Sequence, residues 1–132
     1  MPILVDRNVI LDLKNHDPQC FDWSNSALEK HAEEGFIVNA VVYAEQCLEA
    51  ESADEVDALA AGMNVQMPEI PREVLLLASK AHLTNRRRGG SPTTGLPDFF
   101  IGAHARVLGI TILTRDQGRY KTYFPSVPLN CP

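Results

Sequence analysis

Residues 3–13 read ILVDRNVILDL, and the fold turns on how the middle of that stretch is understood. Ile3, Leu4 and Val5 form an apolar run suited to a buried strand, and the run ends on a bare acid, Asp6. Arg7 and Asn8 follow, after which Val9, Ile10 and Leu13 resume an apolar pattern at helical spacing. A strand that hands over directly to a helix is the first half of a β-α unit. In open parallel sheets ligands bind beyond the carboxyl ends of the strands. Asp6 therefore stands where such a fold would put a functional carboxylate.

The same alternation runs through the rest of the chain. Further strand candidates are Phe36–Val38, Val65–Met67, Ile110–Leu113 and Val127–Leu129, with helical segments between them. Asp17-Pro18 stops the first helix with a turn signal, and residues 20–34 carry Phe21, Ala27, Leu28 and Ala32 before Gly35, a natural C-terminal cap. Asn39 can cap a helix over 40–50, and Ser52 with Glu55 makes a capping box for one that stops at Gly62. Pro71 suits the first turn of a helix reaching Arg87. Residues 88–96, RGGSPTTGL, read as a loop, and Pro97 then opens a helix that ends at Gly109. Strands alternating with helices predict one α/β domain over residues 1–132, built on a mostly parallel sheet.

A chain of 132 residues can close a hydrophobic core without metal or disulfide staples. Its 45% hydrophobic and 22% charged residues are those of an ordinary globular protein. No apolar stretch approaches the about 20 residues that span a bilayer, and the start lacks a basic segment followed by an apolar core. The expectation is a cytoplasmic protein without membrane contact. Cys20, Cys47 and Cys131 are widely spaced and odd in number, and read as plain thiols rather than metal ligands or a disulfide framework. Charge is unevenly divided. Residues 86–132 hold seven bases and two acids, a net +5, whereas residues 1–85 hold five bases and fifteen acids, a net −10. A basic C-terminal third suggests contact with a polyanion; solvation of an ordinary surface is the plain alternative.

The two acids of that basic third, Asp98 and Asp116, fall where chemistry can use them. Asp116 lies just past the strand that ends at Leu113, so it points to the same sheet edge as Asp6. Asp98 opens the helix that begins at Pro97. Each has a simpler reading: Asp6 as a helix cap, Asp116 in an Asx-turn of RDQG, Asp98 as a cap that meets the helix dipole. Glu45 is harder to explain away, because NAVVYAEQCL is a largely apolar helix and a buried carboxylate there needs a cation or donor to meet it; exposure on the outer stripe of that helix is the alternative. Four acids on one edge would repel one another if ionised together. A hard divalent ion, Mg²⁺ or Mn²⁺, relieves that repulsion, polarises a phosphoryl oxygen and lowers the pKa of a water. Such a site suits phosphodiester hydrolysis.

LVDRNVILD, NAVVYAE, LPDFFIGAHA and ILTRDQGRYKTYFP, in this order, resemble the four acidic blocks of the PIN-domain ribonucleases, and most of all the VapC-like toxins of bacterial toxin–antitoxin pairs. The likeness spans residue 3 to about 125. It implies a three-layer α/β/α fold around a mostly parallel five-stranded sheet, a homodimer, and an endoribonuclease dependent on Mg²⁺ or Mn²⁺. It implies that Asp6, Glu45, Asp98 and Asp116 are the catalytic, metal-binding acids. By the same likeness Asn8 steadies the cluster from the first turn of its helix, and Thr114 orients Asp116 or a metal-bound water. The implied partners are an RNA substrate and a cognate antitoxin protein. Arg7 departs from the pattern, since the family usually has a small residue there. A guanidinium at that position can bond a carboxylate in place of metal, reach outward to an RNA phosphate, or simply snorkel away from the site as a surface arginine.

Arg86, Arg87 and Arg88 lead into the loop before Asp98 and, with Arg7 and Arg115, are the candidate contacts for substrate phosphates; a solvated helix end that complements the dipole is the plain alternative for the triple run. Tyr120, Tyr123 and Phe124 can stack on bases but suit packing behind the site equally well, and His104 has the spacing of a core residue. Two alternatives stand beside the nuclease. One is a PIN-like module that binds RNA or protein without cutting, its metal site weakened by Arg7. The other, an acid-based phosphatase or phosphorelay receiver, lacks the second acid two residues after Asp6 or the late-strand lysine that those chemistries require.

Overall fold

A computed structural model describes residues 1–90 and 95–132 of the chain. The elements in order are β1 (Ile3–Val5), α1 (Arg7–Asn15), α2 (Phe21–Lys30), β2 (Phe36–Ile37), α3 (Ala40–Cys47), α4 (Ala53–Ala58), β3 (Val65–Gln66), α5 (Arg72–Arg87), α6 (Leu96–Leu108), β4 (Ile112–Leu113), α7 (Gly118–Lys121) and β5 (Leu129–Asn130). The five strands form one sheet in the order β3-β2-β1-β4-β5, every pair parallel. From β1 the chain winds outward through β2 and β3, then returns to the other side of β1 for β4 and β5. The reversal falls between β1 and β4. Crevices at such switch points, beyond the carboxyl ends of the strands, are where open α/β sheets bind ligands.

The period-two alternation of the strands divides the core between the two faces. Leu4, Ile37 and Ile112 face one layer with Val42, Val74, Ala78, Phe99 and Ile101. Ile3, Val5, Phe36 and Leu113 face the other with Val9, Ala27 and Leu28. Helices thus cover both faces, which makes the fold the expected three-layer α/β/α arrangement.

The sequence signals operate locally as anticipated, with shorter elements. Asp6, Asn39 and Ser52 all cap helices through side-chain oxygens. Gly109 ends α6 in the left-handed region at φ 68. The helix expected over 20–34 stops at Lys30, because residues 31–34 turn so that Gly35, at φ 84, can enter β2 beside Asn64. Of the expected loop 88–96, residues 91–94 lie outside the described residues; Gly89 and Gly90 turn the chain out of α5, and Gly95 N-caps α6. Gly90 approaches Asn85 so closely that a Cβ would lie 1.9 Å from its Oδ1. The helical turn α7 was not anticipated. Among the described residues no helix is long and apolar enough to cross a membrane.

Candidate functional site

Asp6 leaves the end of β1 fully buried, at the switch point. Its Oδ1 accepts the backbone N–H of Arg7 at 2.7 Å, the ordinary helix-cap bond. Its Oδ2 accepts the hydroxyls of Thr114 and Tyr120, each at 2.7 Å, and the Asn8 amide at 3.4 Å. The simple reading of Asp6 as a cap is therefore correct and incomplete, since one oxygen caps while the other is locked by three side chains. Asn8 also donates to Thr114 Oγ1 and accepts the Arg115 N–H, tying the first turn of α1 to the end of β4. Thr114 Oγ1 in turn accepts the Asp116 N–H at 3.1 Å, so it sets the turn that carries Asp116.

The other three acids are met by arginines. Arg7 Nη1 lies 2.6 Å from Glu45 Oε2, with the Glu45 side chain only 17% exposed. This is the cation that a carboxylate in the apolar α3 requires. Arg119 spans two acids, with Nη1 3.3 Å from Asp98 Oδ1 and Nε 2.9 Å from Asp116 Oδ2. Burial works against the charge of Arg119, but the fields of Asp98, Asp6 and Asp116 outweigh it and hold the guanidinium above its ordinary pKa. Burial also holds the Tyr120 phenol well above its usual value, helped by the charge of Asp6 and the bond to it, so Tyr120 stays a donor to Asp6.

Asp98 is the third residue of α6; its backbone N–H bonds the Gly95 carbonyl, and its carboxyl meets the Gly95 backbone N–H. Burial chiefly raises its carboxyl above the usual range; Arg119 opposes that, and Asp6 and Glu45 add to it. A carboxyl with a raised folded-state pKa holds its proton more tightly folded than unfolded. Its ionisation therefore costs stability as pH rises from the ordinary carboxylate range through the folded value. In EDTA near pH 7, Asp98→Asn should accordingly raise the thermal midpoint of the chain. A lower midpoint would mean that the contact with Arg119 outweighs burial.

The donor set is one that a hard divalent ion accepts: four carboxylates, with Asp6 Oδ1 bonded to a single N–H. Arg7 and Arg119 occupy oxygens of the other three carboxylates. Among the described residues, the one group of three acidic, histidine or thiol side chains whose ligand atoms lie within 4.8 Å of one another is instead Asp12, Asp17 and Cys20. That group is a structural latch. Asp12 Oδ2 accepts Ser24 Oγ and Arg115 Nε, both at 2.6 Å, and Asp17 Oδ1 accepts the N–H groups of Gln19 and Cys20, which lower its pKa.

Of the residues predicted from the sequence, Asp6, Glu45, Asp98, Asp116, Asn8, Thr114 and Arg7 share one network at the switch point. The Arg115 guanidinium, taken from the sequence as a phosphate contact, is turned to Asp12. Arg86, Arg87 and Arg88 are exposed at the C-terminal end of α5. Because α5 and α6 are consecutive packed helices, that end lies toward the α6 start that carries Asp98. His104 is a core residue, fully buried and 2.8 Å from Asn39 through Nδ1. The sequence reading missed Arg119 and Tyr120 as members of the site. Their signal is helical spacing, three and four residues after Asp116.

A second feature lies on the sheet face covered by α1 and α2. A cleft of about 330 Å³ is lined by apolar side chains including Ile10, Leu13, Val56, Leu59 and Met63. Gln46 is buried there, with both amide atoms lacking a protein partner among the described residues.

Among protein families, the PIN domain matches residues 3–125. No curated protein matches the sequence at a significant level. Solved structures do. VapBC2 from Rickettsia felis bound to a DNA fragment from its promoter superposes with a TM-score of 0.73 at 15% identity, covering 99% of this chain and 98% of that one. VapBC-1 from nontypeable Haemophilus influenzae gives 0.69 at 17% identity, covering 99% and 98%. A toxin–antitoxin complex from Klebsiella pneumoniae gives 0.67 at 18%, covering 95% and 94%. Identities this low make these likenesses of fold.

Proposed function

Because the chain belongs to the PIN domain family, whose members are typically metal-dependent nucleases, we propose that it is a Mg²⁺- or Mn²⁺-dependent endoribonuclease and the toxin of a toxin–antitoxin pair. The observation that carries this reading is the convergence of Asp6, Glu45, Asp98 and Asp116 at the switch point between β1 and β4. Residues 1–132 act in this proposal as one nuclease unit.

A hard divalent cation, when bound, supplies charge neutralisation at the phosphoryl oxygens and a lowered pKa for water. The chain supplies the rest. Thr114, Tyr120 and Asn8 fix Asp6 Oδ2, which leaves Oδ1, bonded only to the Arg7 N–H, as the oxygen that would meet the ion. Glu45 and Asp98 would supply further carboxylate oxygens. Asp116, half exposed and bonded to Arg119 through Oδ2, has Oδ1 to accept the proton of the attacking water. The water oxygen bonds to phosphorus as the bond to the leaving ribose oxygen breaks, and that oxygen takes a proton from solvent. Arg86, Arg87 and Arg88 hold the flanking phosphates. Binding of a labelled single-stranded RNA should weaken when the three are changed to Ala, with the slope of log affinity against log salt shrinking by about 0.7 for each lost contact. An unchanged slope would remove this run from the RNA surface.

A protein partner is supported by the apolar cleft with its unpartnered Gln46 amide, and by the complexes among the similar structures. A second copy of the chain is supported by Leu76 and Leu83, exposed one heptad apart on α5.

The ion pair between Arg7 and Glu45 favours a second reading, in which the module binds RNA or protein without cutting because Arg7 weakens the metal site. Purified chain incubated with labelled structured RNA in Mg²⁺, Mn²⁺ or EDTA separates the two. Cleavage that needs metal and is lost in Asp98→Asn supports the nuclease; EDTA-resistant binding without cleavage supports the module. In either case Arg7→Thr should tighten Mn²⁺ binding by about 10-fold, the scale on which neighbours of metal ligands act. An unchanged dissociation constant would mean that Arg7 does not compete with the ion.

A further inference from the structure

We infer that the acid site takes one divalent cation, and that Arg119 fills the place between Asp98 and Asp116 that a second cation would occupy. The inference rests on the divalent-ion reading given above and deepens it.

Arg119 differs from Arg7 in what it spans. Arg7 reaches one carboxylate, whereas the Arg119 guanidinium bonds Asp98 and Asp116 at once, through different nitrogens. In two-metal sites the ions stand about 3.5–4 Å apart among shared carboxylates. A planar, permanently charged guanidinium bridging two carboxylates is the organic equivalent of one of those ions. The backbone that carries Arg119 is also fixed: Tyr120, the next residue of α7, is fully buried with its hydroxyl on Asp6.

Charge balance leads to the same count. Four carboxylates against two guanidiniums leave a net −2, the charge that one divalent ion cancels. The deficit is centred on Asp6, whose side-chain and backbone donors are all uncharged groups. Charge counting alone would let either arginine variant gain an ion. The geometry singles out Arg119.

The test is to titrate Mn²⁺ into the full chain, counting bound ions by calorimetry and by loss of the free-ion electron paramagnetic resonance signal. The expected counts are one ion for the wild type, two for R119M, and one for R119K, which restores the positive charge. R7T should still bind one ion, more tightly. Circular dichroism identifies the folded variants, and R119Q replaces R119M if the latter does not fold. Two ions on the wild type, or one on the folded neutral variant, would overturn the inference while leaving the divalent-ion reading intact. No ion on the wild type would overturn both.

Discussion

Asp6→Asn should lower metal-dependent RNA cleavage by more than about 100-fold, exceeding the 10–100-fold typical of residues that only support metal ligands. It should lower the thermal midpoint as well, though by less than Asp6→Ala. The substitution is isosteric, and with Oδ1 still capping α1 the new amide nitrogen takes the place of Oδ2. The Tyr120 hydroxyl can turn to accept from it, whereas Thr114 Oγ1 already accepts from Asn8 and from the Asp116 N–H and loses the acceptor for its own proton. Asp6→Ala is the informative contrast. It leaves two buried hydroxyls without their acceptor, at about 1–3 kcal/mol for each unsatisfied group, so it should lose both cleavage and stability. Cleavage that survives Asp6→Asn would place the chemistry elsewhere.

Gly102→Ala should destabilise the chain by about 1–3 kcal/mol, as overpacking of a tight core does, lowering the thermal midpoint by roughly 5–10 °C. Gly102 lies in the buried part of α6, and a Cβ there would stand 2.3 Å from Cδ2 of the Phe124 ring. Phe124 is itself buried and packs edge-on to Phe99, so the ring has little room to yield. The consequence reaches the site. The close approach at Gly102 seats Phe124 and with it α7, whose Tyr120 hydroxyl holds Asp6. Gly102→Ala should therefore weaken Mn²⁺ binding as well as folding. A variant with wild-type stability would mean that Phe124 can repack at no cost.

The sequence made the sheet legible because each strand is an apolar run set between capping or turn residues, as with Ile3–Val5 before Asp6 and Phe36–Ile37 after Gly35. The four acids were legible because strand ends and helix starts can be placed from such runs. What lay beyond reach is tertiary. The apolar surroundings of Glu45 called for a cation, but nothing local identified Arg7, 38 positions away. Arg115 follows a strand whose side chains alternate in direction, and only the fold shows that it turns to Asp12. The four residues of α7 are too few for a periodic pattern, so Arg119 and Tyr120 passed as a surface base and a packing aromatic. The Asx-turn suspected at Asp116 has a different donor and acceptor, the Asp116 N–H and the Thr114 hydroxyl.

The central proposal is that carboxylates from separate parts of the chain bind a single divalent ion beside Asp6. Anomalous scattering from a crystal of the chain soaked in Mn²⁺ tests that claim most directly. The expected result is a peak beside Asp6, within reach of Glu45 and Asp98. A map with no peak there, or with its only peak at Asp12, Asp17 and Cys20, would contradict it.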